Sequence, residues 1–361
     1  MKRPITLLAL FLSHISRMTA QDTATNTPLL TWSGAVETYY SYDLDRQPGN
    51  PYPSFVYTHH RHNEIDINLA YIKATFSTSR IRANLAFGTG SYMNANYSGT
   101  AGVFRNTYEA NTGVKLHSKR QIWLDAGIMP SHIGLESALS AANTTLSRSI
   151  IAENSPYYET GVRLSSTSLN SKWYLAALVL NGWQRVQRVP GSNAANIGTQ
   201  ITFSPSGELS VNYSTYIGSE FPDSVRRWRQ FHNMYATFTA APRLSFSTGI
   251  DYGAQQSAKN SNTWHSWYGA VLMARYKFSE KLAAAARAEY YSDREMIIVN
   301  TITPGGVTAI GSSVNVDYRF NRFALWRIES KFLADPDEAF TTGKTITQRD
   351  VTITTSLTLT F

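Results

Sequence analysis

Apolar and polar side chains alternate over the last eleven residues of the chain, VTITTSLTLTF (351–361), with Thr355 as the one exception. Val351, Leu357 and Phe361 fall on one side of an extended strand, and threonine and serine fall on the other, because successive side chains point to opposite faces. A wall between lipid and a watery lumen requires this pattern, and a soluble sheet with one wet face uses it as well. The stretch therefore predicts a strand, and the rest of the chain must show whether it belongs to a membrane wall or to a soluble sheet.

The same alternation recurs along the chain and predicts sixteen strands, of which the terminal one is the last. The connections alternate in length: short breaks at 205–207, 241–243 and 321–322 are each followed by a long segment, such as 218–232 or 333–348. Outer-membrane barrels have short periplasmic turns and longer outer loops. We therefore predict an all-β fold, a closed antiparallel transmembrane β-barrel of 16 strands, with 14 or 18 strands as the alternatives.

A sheet in hydrocarbon has to close, because each backbone group left unpaired at an open edge costs several kcal/mol. The first predicted strand, which begins at Trp32, must therefore pair with the last one. Sixteen strands enclose a bore too wide for the wall's own side chains to fill. The prediction is an aqueous channel, unless a loop or a plug occupies it.

Aromatic residues make up 12% of the chain and test the polarity of the strands independently. Aromatic side chains collect at both membrane interfaces. If odd strands rise from the periplasm, the lower interface receives Trp32, Trp173, Phe203, Tyr276, Phe278, Tyr318, Phe320 and Phe361. The upper interface receives Tyr40, Tyr42, Tyr108, Tyr158, Tyr252, Tyr268 and Tyr290. The strands are assigned from apolar alternation alone, and their aromatic residues nevertheless form two girdles.

The amino terminus has the pattern of a secretory signal: Lys2 and Arg3 precede an apolar run from Ile5 to Ile15, and Ala20 is a suitable last residue. Met18 stands where a small residue is expected, so the position of the cut is not fixed. The predicted organisation is a signal peptide at 1–20, a periplasmic leader at 21–30 and the barrel at 31–361.

Composition excludes several other classes of protein. Without residues 1–20 the chain has 30 basic and 25 acidic residues, a formal charge of +5, and no dense basic block, so nucleic acid is a poor partner. Cysteine is absent, so neither a disulfide framework nor a thiol nucleophile is available. No apolar run of about 18 residues predicts a spanning helix. No metal, nucleotide or redox cofactor is implied.

Five segments, in order along the chain, carry a family resemblance: RHNEIDINLAYI (61–72), a glycine-bearing strand end (125–130), SPYYETGVRL (155–164), LNGWQR (180–185) and AARAEYYSD (285–293). Together they resemble the OmpL-like β-barrel porin family over most of the chain. The resemblance implies a passive pore in the bacterial outer membrane. It names no solute and supplies no catalytic residues. The terminal Phe361 likewise resembles the closing residue that the barrel-assembly machinery reads in such proteins.

Charged side chains on the inward faces of the predicted strands are the candidate pore lining. They are Arg82, Lys115, Asp125, Arg163, Arg275, Lys277, Arg287, Glu289, Asp317, Arg319, Arg327, Glu329 and Lys331. Pairs at 287/289, 317/319 and 327/329 fall on three consecutive strands and predict a ladder of cross-strand ion pairs. One interpretation is a stiffened, solvated wall; the other is an electrostatic track whose basic excess mildly favours anions.

The third outer loop, Met129–Ser155, is the longest connection and the candidate constriction. It lies between strands five and six, the position of the loop that folds into the bore of general diffusion porins, and it carries Glu136, Arg148 and Glu153. A charge-lined narrowing selects solutes by size and electric field. The alternative is a loop that only covers the rim.

The histidines suggest two alternatives to a simple pore, a metal site and a lipase-type active site. His59, His60 and His62 stand near Glu64, and imidazoles bind zinc or copper, but a solvated loop cluster fits an extended segment better. A lipase-type barrel enzyme needs serine beside histidine on the lipid face, and no such motif stands near the remaining histidines. These are His117, His132, His232 and His265.

The sequence as a whole predicts an outer-membrane porin rather than an enzyme: a passive diffusion channel for small hydrophilic solutes, mildly biased towards anions. Its partners are then outer-membrane lipid, the barrel-assembly machinery and the solutes themselves. The alternatives are a lipase-type barrel enzyme and an adhesin or an uptake barrel for hydrophobic compounds. The lipid faces show no distinct patch, so a monomer and a homotrimer both remain open.

Overall fold

A computed structural model describes residues 28–45, 53, 55–100, 102–301, 305–336, 340–342 and 345–361. The predicted signal peptide, 1–20, and the predicted leader up to residue 27 lie outside the described residues. The first strand begins at Leu29, two residues before the predicted start of the barrel. None of the helices in these ranges is long and apolar enough to cross a bilayer.

Sixteen strands form one closed sheet, and two further short strands form a hairpin outside it. The barrel strands are β1 Leu29–Asp43, β2 Ile65–Ser77, β3 Ile81–Thr89, β4 Thr107–Lys115, β5 Gln121–Pro130, β6 Tyr158–Thr167, β7 Trp173–Leu180, β8 Asn196–Phe203, β9 Leu209–Gly218, β10 Arg229–Ala241, β11 Leu244–Gln256, β12 Trp264–Lys277, β13 Leu282–Asp293, β14 Val307–Arg319, β15 Ala324–Ala334 and β18 Arg349–Thr360. The hairpin is β16 Phe340–Thr342 with β17 Thr345–Thr347. The short helices are α1 Ser91–Asn96 and α2 Ile150–Glu153, with 3-10 turns at Gly102–Asn106, Ser140–Ala142 and Asp223–Val225.

Every barrel strand pairs antiparallel with its neighbours in the chain, so the topology is a simple up-and-down meander. Connections at one end of the barrel, the turn end, have two to five residues; those at the other, the loop end, have seven to 27. This confirms the predicted strand count and the predicted alternation of short and long connections. The structure corrects several strand starts, since β10, β12 and β14 begin four to seven residues earlier than the alternation indicated.

The barrel closes where β1 meets β18, in register from Ala35 opposite Thr360 to Asp43 opposite Thr352. At the turn end of this seam, Gly34 and Phe361 exchange two backbone hydrogen bonds of 3.0 Å each. The pairing satisfies the edge groups that hydrocarbon would leave without a partner. The predicted pairing of the first and last strands is therefore confirmed.

Side chains alternate in exposure along the strands, as the sequence predicted. In β18, Ile353, Leu357 and Leu359 are exposed on the outside, whereas Thr352 and Thr358 are buried on the inside. One strand changes phase: Asn68 is an extra residue opposite the β1 pair Glu37/Thr38, which makes a β-bulge. Strict alternation from Ile65 and Ile67 predicts Leu69 on the lipid side, but the bulge turns it inward, where it is fully buried, so that prediction is wrong.

Two tyrosines of the predicted upper girdle pack against loop residues instead, and of these Tyr158 is buried and Tyr108 is half-buried. Tyr158 stacks on Tyr97 with ring centroids 4.0 Å apart, and Tyr108 contacts Tyr92 edge-on. Tyr92 and Tyr97 lie in the connection that contains α1. The alternation within the strands did not reveal the loop residues that pack on these rings.

The seam generates a prediction for Gly34. A Cβ atom there would lie 2.5 Å from the Phe361 ring and 2.7 Å from the backbone oxygen of Tyr71, and the backbone cannot give way without breaking the sheet. Gly34→Ala should lower the free energy of unfolding by about 1–3 kcal/mol, the usual cost of overpacking. Urea unfolding of the refolded barrel measures it. Gly99→Ala is the matched control, because the nearest atom is 4.0 Å away; equal stability of the two variants would contradict the prediction.

Candidate functional site in the barrel interior

The third outer connection, residues 131–157, folds into the barrel, and we call it the inner loop. Its backbone binds the inner face of the opposite wall: the Leu146 amide donates to Asn315 at 3.1 Å, and the Ile150 amide donates to Glu289 at 2.6 Å. Asn315 and Glu289 lie on β14 and β13. The loop therefore crosses the bore from β5 and β6 and docks on the far side.

Arg327 of β15 is the strongest anchor of the inner loop. Its fully buried guanidinium donates to the carbonyl oxygens of Ser140 at 2.5 Å and of Thr144 and Thr145 at 3.0 Å. The same group is paired with Asp317 at 2.7 Å, which balances the buried charge. Removing one partner of such a buried pair typically costs about 3–5 kcal/mol, because the other charge remains buried and unpaired.

A second buried network, on β13 and β15, holds the inner loop closer to the loop end of the barrel. Arg287 pairs with Glu329 at 3.1 Å and Glu289 at 3.3 Å, and it donates to the Ser147 carbonyl at 2.7 Å. Lys331 adds a contact of 3.4 Å to Glu289. The predicted ladder of cross-strand ion pairs is thus present except for Arg319, and its charges face the loop rather than open water.

Apolar contacts complete the docking. The loop side chains Ile150 and Ile151 are buried in one cluster with Trp267 and Val271 of β12. Each such side chain contributes about 1.5–3 kcal/mol by leaving water. Gly269 makes room for the loop, because a Cβ atom there would lie 2.5 Å from Ile151. The wall is therefore shaped to receive this loop.

The loop is fixed at its root by His132. Nδ1 lies 2.8 Å from the Glu159 carboxylate, and Nε2 lies 2.8 Å from the Thr215 carbonyl oxygen. Both ring nitrogens thus face acceptors, which favours the doubly protonated imidazolium. Burial on its own lowers the pKa of His132, but Glu159 and the Thr215 carbonyl outweigh it, so the pKa is raised above its ordinary value. Gly198 leaves the space for the ring.

Two of the three charged loop residues singled out from the sequence bind within the loop itself. Arg148 donates to the Ala152 carbonyl at 2.7 Å and lies 3.6 Å above the Tyr157 ring. Glu136 accepts hydrogen bonds from the backbone amide and the hydroxyl of Ser149. Burial raises the pKa of Glu136, although Arg287 and Arg148 oppose the effect. These groups hold the shape of the loop.

The third loop residue, Glu153, joins the inner loop to the first outer connection. Its carboxylate accepts hydrogen bonds from the Tyr57 amide at 3.1 Å and from the Thr58 hydroxyl. Nearby, the Ser140 hydroxyl donates to the buried Glu37 of β1. Glu153 is only 2% exposed, so it contacts protein rather than solute.

The wall on the side of β2 to β6 presents its charges differently. The Arg82 guanidinium binds Asp125 through two bonds of 2.7 and 2.6 Å, and Arg163 lies 3.5 Å from the same carboxylate. Arg82 and Arg163 are 33% and 22% exposed, whereas Asp125 is 1% exposed. Lys73 and Glu109 repeat the pattern at 25% and 6%. The basic ends face the lumen and the acids lie behind them.

The remaining predicted lining residues lie towards the turn end. Arg275 is 20% exposed and pairs with the 2% exposed Asp317. Lys115, Lys277 and Arg319 are half-buried at the last inward positions of β4, β12 and β14. Among the described residues none of these three has a carboxylate within ion-pair distance.

The histidines of the described residues bind within the fold rather than to one another. His59 lies 2.5 Å from the Glu37 carboxylate, and His60 lies 2.8 Å from the Tyr57 carbonyl oxygen. His62 accepts a hydrogen bond from the Asp43 amide. The other ring contacts are those of His117 with two turn amides, His232 with Tyr213 and His265 with Glu295. No group of three or more potential metal ligands comes together in the part of the chain that the structure describes.

Sequence reasoning missed the apolar inner surface that receives the loop. Leu178, Val271 and Met273 point inward although their neighbours Val179 and Leu272 are exposed outside. Runs such as YLAALVL in β7 and AVLMA in β12 were the available signal, because a strand that is apolar on both faces is buried on both faces.

Comparisons with known proteins agree with this fold. Residues 29–361 match the model of the family described as "Putative beta-barrel porin-2, OmpL-like". The fold is similar to OmpT of Vibrio cholerae in its trimer form (TM-score 0.60, 10% identity, 93% of this chain and 100% of that one). It is also similar to an anion-selective porin from Comamonas acidovorans (0.61, 8%, 93% and 100%) and to the channel DcaP of Acinetobacter baumannii (0.58, 10%, 94% and 99%). No curated protein matches the chain.

The geometry of His132 generates a prediction about pH. Because the folded-state pKa is raised, its contribution to stability is full below the ordinary histidine range and is lost as pH rises through the raised value. Amide hydrogen exchange of residues 131–157, corrected for its intrinsic pH dependence, should therefore lose protection at alkaline pH. His132→Gln should remove this pH dependence, and His265→Gln, near the loop end of β12, should preserve it. Protection that is independent of pH in the unmodified protein would contradict the role of His132.

Proposed function

The chain belongs to the OmpL-like β-barrel porin-2 family and is an outer-membrane porin, and from this premise we propose that it is a passive diffusion channel for small hydrophilic solutes with a mild preference for anions. Hydrocarbon surrounds the exposed apolar face of the barrel, and solutes pass through the lumen beside the inner loop. The lumen wall then decides selectivity.

One observation carries the proposed anion preference. In four ion pairs of the lumen wall, the basic side chain is 20–33% exposed and its acidic partner is 1–6% exposed. Water in the lumen therefore contacts cationic groups, while the carboxylates are shielded behind them. A field of one sign along a low-dielectric wall raises the local concentration of the opposite ion.

The inner loop supports the proposed limit on solute size. It crosses the bore and is held by ion pairs and by apolar contacts on the far wall. Glu136, Arg148 and Glu153 act in this proposal as the internal frame of the constriction. The side of the lumen lined by Arg82, Arg163 and Lys73 is then the passage.

Two further expectations belong to this proposal. Phe361 is the residue that the assembly machinery reads, in keeping with its place at the end of the seam and its 62% exposure. A homotrimer is the assembly we propose, supported by the trimer form described for the Vibrio cholerae protein.

Planar-bilayer recording of the refolded chain tests the channel directly. Steady current steps proportional to voltage are expected, and deletion of 138–151 should enlarge the unit conductance because it removes the part of the loop that crosses the bore. Deletion of 258–262, in the short connection between β11 and β12, is the matched control and should leave conductance unchanged. A barrel that inserts but stays silent would contradict the pore, and an unchanged conductance after the first deletion would contradict the constriction.

Reversal potentials in a potassium chloride gradient test the anion preference. Chloride should carry more current than potassium, and Arg163→Gln should lower the permeability ratio about two- to threefold, because a unit charge about 7 Å away is worth roughly 0.6 kcal/mol in water. The Arg82–Asp125 pair remains in this variant. The exposed loop variant Arg188→Gln should not change the ratio. A current carried mainly by potassium would overturn the preference.

A further inference from the structure

Four outer connections meet around a pocket of about 370 Å³ at the loop end of the barrel, which we call the mouth pocket. Its lining includes Trp183, Arg185, Glu220, Arg229 and Ile298. The volume lies in the range of pockets that enclose small molecules. Unlike the lumen wall, the mouth pocket combines aromatic and aliphatic surface with a few charged groups.

Arg229 is the chemically distinctive residue of the mouth pocket. It is 6% exposed, and both Nε and Nη2 donate to the same neutral acceptor, the Gln255 side-chain oxygen, at 3.0 and 2.7 Å. The guanidinium lies 5.2 Å from the Trp183 ring and 5.5 Å from the Trp267 ring. No carboxylate of the described residues lies within ion-pair distance of it.

Glu220, the acidic residue of the pocket lining, already has several partners. Glu220 accepts from the Trp183 amide at 2.6 Å and from the Tyr216 hydroxyl at 2.8 Å, and it pairs with Arg185 at 3.1 Å. Glu220 is thus in direct contact with Arg185, and the buried Asp293 carboxylate accepts hydrogen bonds from backbone amides. Both acids attract Arg229 only from beyond ion-pair distance, so its guanidinium lines the cavity without a carboxylate in contact, whereas buried charges are normally paired directly.

The mouth pocket therefore selects for a single negative charge attached to an apolar body. A carboxylate matches the planar fork of a guanidinium, whose Nη1 is not engaged by Gln255. Trp183, Val186, Ile297 and Ile298 supply an apolar surface beside it. A bare inorganic anion would leave this surface wet, and a neutral sugar would leave the charge of Arg229 unpaired.

We propose that the mouth pocket binds small monocarboxylates that carry an apolar ring, with Arg229 pairing the carboxylate and Trp183 contacting the ring. The inference rests on the proposed pore function, because it names a class of solute that the outer mouth collects. The general anion preference arises at the lumen wall and does not depend on this site.

Isothermal titration calorimetry on the refolded full-length barrel, with sodium benzoate as the probe, tests the proposal. Saturable binding is expected, and the neutral analogue benzamide should bind at least tenfold more weakly. Arg229→Gln should weaken benzoate binding by a similar factor. Arg188→Gln, which changes an exposed arginine of the outer connection that contains Trp183, is the matched control and should bind as the unmodified chain does.

Trp183→Leu provides a second variant in case Arg229→Gln does not fold, which heat-dependent electrophoretic mobility reports. It should weaken benzoate binding much more than acetate binding, since only benzoate has a ring to lose contact. Equal affinity for benzoate and benzamide, unchanged affinity in folded Arg229→Gln, or no saturable binding would overturn the site. Conductance of the unmodified chain is recorded in parallel: current without benzoate binding refutes the site alone, and binding without current refutes the pore alone.

Discussion

Backbone hydrogen bonding in hydrocarbon is the constraint on which the whole structure depends. No water is available at the outer face of the wall, so each strand must pair on both edges and the sheet must return to its own first strand. The β1–β18 seam fulfils this condition along its length, down to the two bonds between Gly34 and Phe361. The closed sheet has sixteen strands, and the side chains of a wall of this size cannot fill its bore. The interior therefore needs packing and charge pairing of its own.

The inner loop fills part of the bore and is held there by buried ion pairs that also donate hydrogen bonds to its backbone. Arg327 satisfies loop carbonyls and Asp317 at once, and Arg287 does the same with Ser147 and Glu329. Such buried pairs contribute little net stability over an apolar core, but breaking one is costly, so they favour a single position of the loop. The loop backbone, which would lose water on entering the bore, is thereby satisfied.

In the channel that we propose, the ion pairs that the loop leaves uncovered determine the electric field in the lumen. A carboxylate at the base of the wall orients a longer arginine or lysine towards the lumen, as Asp125 does for Arg82. The pair is neutral overall, but the two ends differ in their contact with water, and a passing ion interacts with the exposed end. Equal numbers of acidic and basic residues would therefore still leave a field, which composition alone does not reveal.

The sequence by itself determined the membrane-facing half of this protein. Alternation is a local property, so the strands, their number, the two classes of connection and the inward position of residues such as Arg82 and Arg327 follow from it. The tertiary structure decided which inward charges meet a loop and which meet water, where the Asn68 bulge reverses a face, and how Arg229 comes to lie beside two tryptophans. These contacts join residues far apart in the chain, such as Ile151 and Gly269. No local period encodes the loop contacts, because the connections that make them have no regular alternation of their own.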